Sequence, residues 1–165
     1  MDHASEARLQ NVVPLLAVKI RTMETMLADE GIEIMVTQGL RTIAEQDALY
    51  AQGRSVPGAK VTNCPGGHSY HNFGLAVDCC PSQFAPGKPF TPDWHPEHPS
   101  WKRMEAVGKS LGLDSGAYWR TFHDAPHFQL TGRFPEGAPN QELQELLHSG
   151  MQAVWDAVMQ SYKGA

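Results

Sequence analysis

Three cysteines in 165 residues, an odd number with no C-x-x-C pair among them, leave little room for a disulfide framework. Cys79 and Cys80 are adjacent and badly placed to pair with each other. The thiols therefore read as free, in a chain made in a reducing compartment. Cys80 is kept as a minor candidate metal ligand, because in a strand it would share the face of Asp78. Long apolar runs are also missing; none approaches the ~20 residues that span a bilayer. Positive charge is not in excess. The formal net charge is -5, so there is no broad electrostatic reason to bind nucleic acid. The opening Met1-Asp2-His3-Ala4-Ser5-Glu6 is polar and acidic, without the basic segment and apolar core of a Sec-type signal peptide. The expectation is a protein made in the cytoplasm. If its substrate lies outside, something else carries or releases it.

What is present is the composition of a globular protein, 41% hydrophobic and 19% charged, long enough for one domain with a real core. Leu9, Val12, Val13, Leu16, Ile20, Met23 and Leu27 recur at helical spacing, which predicts a helix from about Arg8 to Glu30. Ile32 to Thr37 alternates and is β-branched enough for a strand. Thr42-Ile43-Ala44-Glu45 is a capping-box sequence that opens a second helix, ending near Gly53. Pro57, Gly58, Pro65, Gly66 and Gly67 make residues 54–67 a loop. Gly74 to Cys80 reads as a short buried strand, and Pro81 to Pro99 as a surface loop. Ser100 is a suitable N-cap for a third helix to about Leu111. Phe122 to Leu130 reads as a strand and Gln141 to Tyr162 as a terminal helix. The fold class expected is α+β, with helices packed against one small sheet.

Two segments carry the chemistry. Ser69-Tyr70-His71-Asn72-Phe73-Gly74-Leu75-Ala76-Val77-Asp78 and Asp124-Ala125-Pro126-His127 together offer two imidazoles and a carboxylate, a familiar donor set for one hydrolytic metal. They also leave a second carboxylate, Asp124, three residues before His127. A catalytic metal needs an open position for water and a nearby base for that water's proton. Gly74 allows the backbone between His71 and Asp78 to turn sharply. His123-Asp124-Ala125-Pro126-His127 also has the spacing of the helical H-E-x-x-H motif, with Asp for Glu. Pro126 would sit inside such a helix and break it, so that reading fails. In an extended segment His123 and His127 are about 13 Å apart, too far to share one ion. His3, His95, His98 and His148 have no ligand-like company.

Gly66 to Asp78 resembles the S-x-H-x-x-G-x-A-x-D signature of the D-alanyl-D-alanine dipeptidase and carboxypeptidase superfamily. Within it the chain is most similar to the L-alanyl-D-glutamate peptidases of phage endolysins. Thr37-Gln38-Gly39-Leu40-Arg41-Thr42, Glu45 to Arg54, and Asp124-Ala125-Pro126-His127-Phe128-Gln129 match as well, in the same order. The resemblance spans about residues 31–130. Two positions depart from it: Leu40, where relatives often carry an aromatic residue, and His68, where Gln is common.

The resemblance implies a zinc peptidase with a hedgehog/D-Ala-D-Ala peptidase-like small antiparallel sheet; residues 1–165 read as that single domain, with a C-terminal packing helix within 139–162. It implies one zinc per chain held by His71, Asp78 and His127, with Asp124 as the catalytic carboxylate. It makes Arg41 the residue that stabilises the oxyanion or orients the substrate, and Ser69, Gln38 and His68 substrate contacts. Read without it, Arg41 is equally a surface ion pair with Glu45, and Ser69 a turn-forming or capping hydroxyl. No G-x-S-x-G elbow surrounds Ser69, which argues against a serine nucleophile. The implied substrate is the peptidoglycan stem peptide, cut at L-Ala-D-Glu during lysis, by a monomer. One rival is a D,D-peptidase acting on D-Ala-D-Ala termini; the other is a non-catalytic, zinc-bearing wall-binding module, as hedgehog domains suggest. The dipeptidase branch generally has Glu where this chain has Asp124.

Overall fold

The computed structural model describes residues 1–83 and 90–163. Along the chain these form helices α1 (His3–Leu9) and α2 (Pro14–Ala28), strand β1 (Ile34–Gln38), helix α3 (Ile43–Ala51), strands β2 (Ala76–Gln83) and β3 (Thr91–Pro92), helix α4 (Pro99–Ser110), strands β4 (Asp114–Ser115) and β5 (His127–Gln129), and helices α5 (Gln141–His148) and α6 (Met151–Gln160). The fold is α+β with an antiparallel sheet, as the sequence predicts. Two compact units can be distinguished: one built of Met1–Gly39 and Ala76–Leu130, the other of Leu40–Leu75 and the chain from Thr131 onward.

The first unit holds the sheet, in the order β1-β2-β5-β4 with β3 added to the far end of β2. β1 is an edge strand, and α1 closes its exposed backbone. Ser5 Oγ accepts from Val36 N at 2.9 Å and Arg8 Nη1 donates to Val36 O at 2.9 Å. An open edge invites pairing with another chain, and these two side chains prevent it at that point. Leu16, Ile20, Met23 and Leu27 of α2 are buried, as are Trp101, Met104 and Val107 of α4. α4 lies so close to β5 that a Cβ on Gly108 would be 2.3 Å from Phe128 Cε1.

The second unit is built around α3 and the last two helices. Thr42 and Glu45 form the predicted capping box. Gln46 is fully buried; its Nε2 donates to Cys64 O at 2.7 Å and its Oε1 accepts from Arg41 Nη1 at 2.7 Å. Residues Tyr70–Phe73 form one turn of 3-10 helix, ended by Gly74 at φ 62°. Phe73, Leu143, Val154 and Val158 supply much of this unit's core.

Several predicted boundaries shift, each for a local reason. The first helix is two, because Pro14 cannot continue α1 and turns Val13 extended (ψ 133°). The terminal helix also divides, at Gly150, whose φ of 112° no helix accommodates. The strand expected from Phe122 shrinks to His127–Gln129, since Pro126 has no N–H for the ladder. His98 rather than Ser100 caps α4, its ring nitrogen accepting from Ser100 N, with Pro99 in the first turn. The loop expected over Pro81–Pro99 instead starts as the end of β2 and contains β3; its residues 84–89 lie outside the described residues.

Because Phe128 is a rigid ring, Gly108→Ala overpacks this contact. We expect a loss of about 1–3 kcal/mol in unfolding free energy, measured by urea denaturation.

Candidate metal centre

Strand pairing places two of the candidate ligands. Asp78 of β2 stands directly opposite His127 of β5, and cross-strand partners share a face. Asp78 Oδ1 lies 3.4 Å from His127 Nδ1. On the other side of β2 the register with β1 slips between Val36 and Gln38, so that Gln38 is the residue opposite Asp78. His71 precedes β2 in the 3-10 turn, and its ring is buried, as is that of His127. His71, Asp78 and His127 each offer one ligand atom, and these atoms lie within 4.8 Å of one another. Two imidazoles and one carboxylate suit a hydrolytic metal ion and leave coordination positions for water and substrate. Among the described residues this is the one cluster of its kind.

The His71 turn is held from several directions within its own unit. Arg41 N donates to His71 O at 3.0 Å, and Asn72 Nδ2 donates to Arg41 O at 2.9 Å. Asn72 Oδ1 accepts from Gly67 N at 3.0 Å, and Trp155 Nε1 of α6 donates to Phe73 O at 2.9 Å. Tyr70 OH donates to Pro135 O. Helix α6 and the segment before α5 thus brace the turn.

Asp124 belongs to the loop that leads into β5. Its N–H donates to Gly116 O at 3.0 Å and its carbonyl accepts from His127 N at 3.1 Å. A Cβ on Gly116 would be 2.4 Å from Asp124 O, so only glycine allows the loop to close this tightly. Burial works against protonation of His127, but Asp78, Gln129 and Asp124 outweigh it and raise its pKa above the ordinary imidazole value. Two acidic side chains therefore act on this ring, which favours a positive charge beside them.

The remaining predicted residues are placed as follows. Arg41 is half-buried and bound to Gln46, and Glu45 accepts from the N–H and hydroxyl of Thr42 in the capping box. Ser69 precedes the 3-10 turn but its hydroxyl caps nothing there. His68 is exposed and Gln38 half-buried. His123 is exposed. Cys80 is buried and stands outside the ligand cluster, and burial pushes its thiol pKa up to about 12. A thiol so reluctant to ionise is a poor metal ligand.

Sequence reading singled out none of Asp114, Gly116 or Trp119, and gave Gln129 no role. Trp119 packs against His127 with the ring planes tilted by 50° and the centroids 5.0 Å apart, and Gln129 Oε1 lies 2.9 Å from His127 Nε2. The one available signal was Gln129, two residues beyond His127 and so on the same strand face.

Residues 62–130 match the family model described as D-alanyl-D-alanine carboxypeptidase. The chain is 33% identical over 124 residues to the peptidoglycan L-alanyl-D-glutamate endopeptidase CwlK of Bacillus subtilis (strain 168), covering 71% of this chain and 72% of that protein. It is 32% identical over 115 residues to the L-alanyl-D-glutamate peptidase of Listeria phage A118, covering 66% of this chain but only 36% of the phage protein. Among solved structures, Serratia marcescens L-Ala D-Glu endopeptidase ChiX superimposes with a TM-score of 0.54 at 27% identity, over 81% of this chain and 90% of ChiX.

Burial raises the pKa of Cys79 well above the usual thiol value and that of Cys80 to about 12, so neither forms thiolate near neutrality. Burial raises the Cys64 thiol too, but its side chain is partly exposed, so native protein treated with iodoacetamide at pH 8 should be alkylated slowly and at Cys64 alone, and guanidinium-unfolded protein at all three cysteines, as counted by mass spectrometry.

Proposed function

This chain belongs to the D-alanyl-D-alanine carboxypeptidase family of peptidases, and within it we propose a zinc-dependent endopeptidase that hydrolyses the L-alanyl-D-glutamate bond of the peptidoglycan stem peptide. The gathering of His71, Asp78 and His127 carries this reading, because it is the donor set such hydrolysis needs. The relatives named for L-alanyl-D-glutamate cleavage support the bond, and Asp124, where the dipeptidase branch generally has Glu, supports the same branch. On this reading residues 1–165 act as one peptidase domain, monomeric, with one zinc ion. It reaches the wall from the cytoplasm after release, as an endolysin does.

His71, Asp78 and His127 would hold the ion. Zinc, when bound, supplies a Lewis acid that lowers the pKa of water toward ~7 and polarises the scissile carbonyl. The protein's own groups supply the rest. Asp124 takes the proton of the attacking water on a carboxylate oxygen and returns it to the leaving amine of D-Glu. The Arg41 guanidinium meets either the developing oxyanion or a carboxylate of the substrate. The Gln46 contact fixes one edge of that guanidinium in advance. Ser69, Gln38 and His68 contact the peptide.

The test is digestion of purified peptidoglycan by wild type and Asp124→Ala, with zinc measured on both. We expect new N-terminal D-Glu from wild type, and a ~10²–10⁴-fold slower reaction from the variant with its zinc retained. Chelation should abolish digestion and added zinc restore it. Released D-Ala would instead establish the D,D-peptidase, and wall binding without digestion the non-catalytic module. Zinc lost together with activity in the variant would move Asp124 among the ligands.

A further inference from the structure

Behind His127 lies a short hydrogen-bonded chain that follows directly from strand pairing. Gln129 shares the face of His127, and Asp114 of β4 stands directly opposite Gln129. Gln129 Nε2 is 2.6 Å from Asp114 Oδ2, and Gln129 Oε1 is 2.9 Å from His127 Nε2. The second carboxylate oxygen, Asp114 Oδ1, accepts from Trp119 Nε1 at 3.0 Å, and that indole is the ring packed at a tilt against His127. One carboxylate therefore orients two of the groups that touch the imidazole.

The polarity of this chain has only one consistent direction. A carboxylate accepts and cannot donate, so the Gln129 amide must turn its NH₂ to Asp114 and its oxygen to His127. An amide oxygen also only accepts, so His127 Nε2 must carry the proton. The neutral ring then has its lone pair on Nδ1, the nitrogen that lies 3.4 Å from Asp78 Oδ1. We propose that Asp114 is a positioning residue: through Gln129 it fixes the His127 tautomer, and through Trp119 the ring plane, so that Nδ1 is the nitrogen presented to the metal. The inference rests on the metallopeptidase reading for its purpose but not for its geometry. Groups of this kind behind a ligating histidine commonly govern metal affinity 10–100-fold.

Asp114→Asn breaks the polarity at its source. Asparagine offers an N–H where the carboxylate accepted, which lets the Gln129 amide turn over and donate to Nε2. The His127 proton then moves to Nδ1 and blocks the ligand position. The double variant Asp114→Asn/Gln129→Glu restores an obligatory acceptor beside Nε2 while keeping the net charge unchanged.

The experiment combines two readouts on the full chain. The first is long-range ¹H–¹⁵N correlation NMR of ¹⁵N-histidine protein, metal-free and zinc-loaded, which reports directly which nitrogen of His127 is protonated. The second is zinc affinity by competition with a chromophoric chelator. Expected are Nε2–H in wild type, a 10–100-fold weaker zinc affinity in Asp114→Asn, and recovery of most of that loss in the double variant. A His127 ring bare at Nε2, in metal-free or zinc-loaded wild-type protein, overturns the proposal, and this measurement needs no variant to fold. Wild-type affinity in a folded Asp114→Asn variant overturns it equally. Wild-type protein that takes up no zinc would refute the metallopeptidase reading instead, leaving the tautomer assignment to stand or fall on the NMR.

Discussion

The antiparallel pairing of β2 with β5 is the constraint on which the rest of this structure depends. It sets Asp78 opposite His127 and so brings two candidate ligands from segments about fifty residues apart into direct contact. The same ladder places Gln129 opposite Ala76 and, through β4, Asp114 opposite Gln129. A slip of one residue would turn all of these side chains to the other face. What prevents the slip is the reverse face: Phe128 is buried against Gly108 of α4, where only a glycine leaves room for the ring. The apolar face thus holds the register on which the polar face relies.

Buried polar groups in a protein must be satisfied, and here the means of satisfaction also orients the chemistry. Gln46 and Gln129 are both nearly inaccessible, and each hands a fixed amide geometry to a functional candidate: Gln46 to Arg41, Gln129 to His127. Asn72 does the same for the backbone beside His71. None of these three carries charge, and none can take part in proton transfer. Their contribution is to remove alternative orientations, which is the part of catalysis that preorganisation supplies.

Family membership and the ligand cluster together narrow the chemistry to peptide hydrolysis, and the L-alanyl-D-glutamate relatives narrow the bond. At Leu40 and His68 the sequence departs from the usual residues of the family it resembles, while His71, Asp78 and His127 keep the signature positions.

The sequence by itself determined the local features: the capping box at Thr42, the break that Pro126 imposes on any helical ligand motif, the buried alternation of β1, and the segments that resemble the peptidase superfamily. Each of these depends on residues within a few positions of one another, where sterics and hydrogen bonding act without the rest of the fold. Helix lengths were less legible, since Pro14 and Gly150 interrupt apolar patterns that run through them unbroken. Only the tertiary structure decided that Gln38 faces Asp78, that Trp119 covers His127, and that Asp114 reaches it through Gln129. These relations are set by strand register and by the register shift in β1, and no periodicity in a single chain segment encodes which residue of another strand will stand opposite.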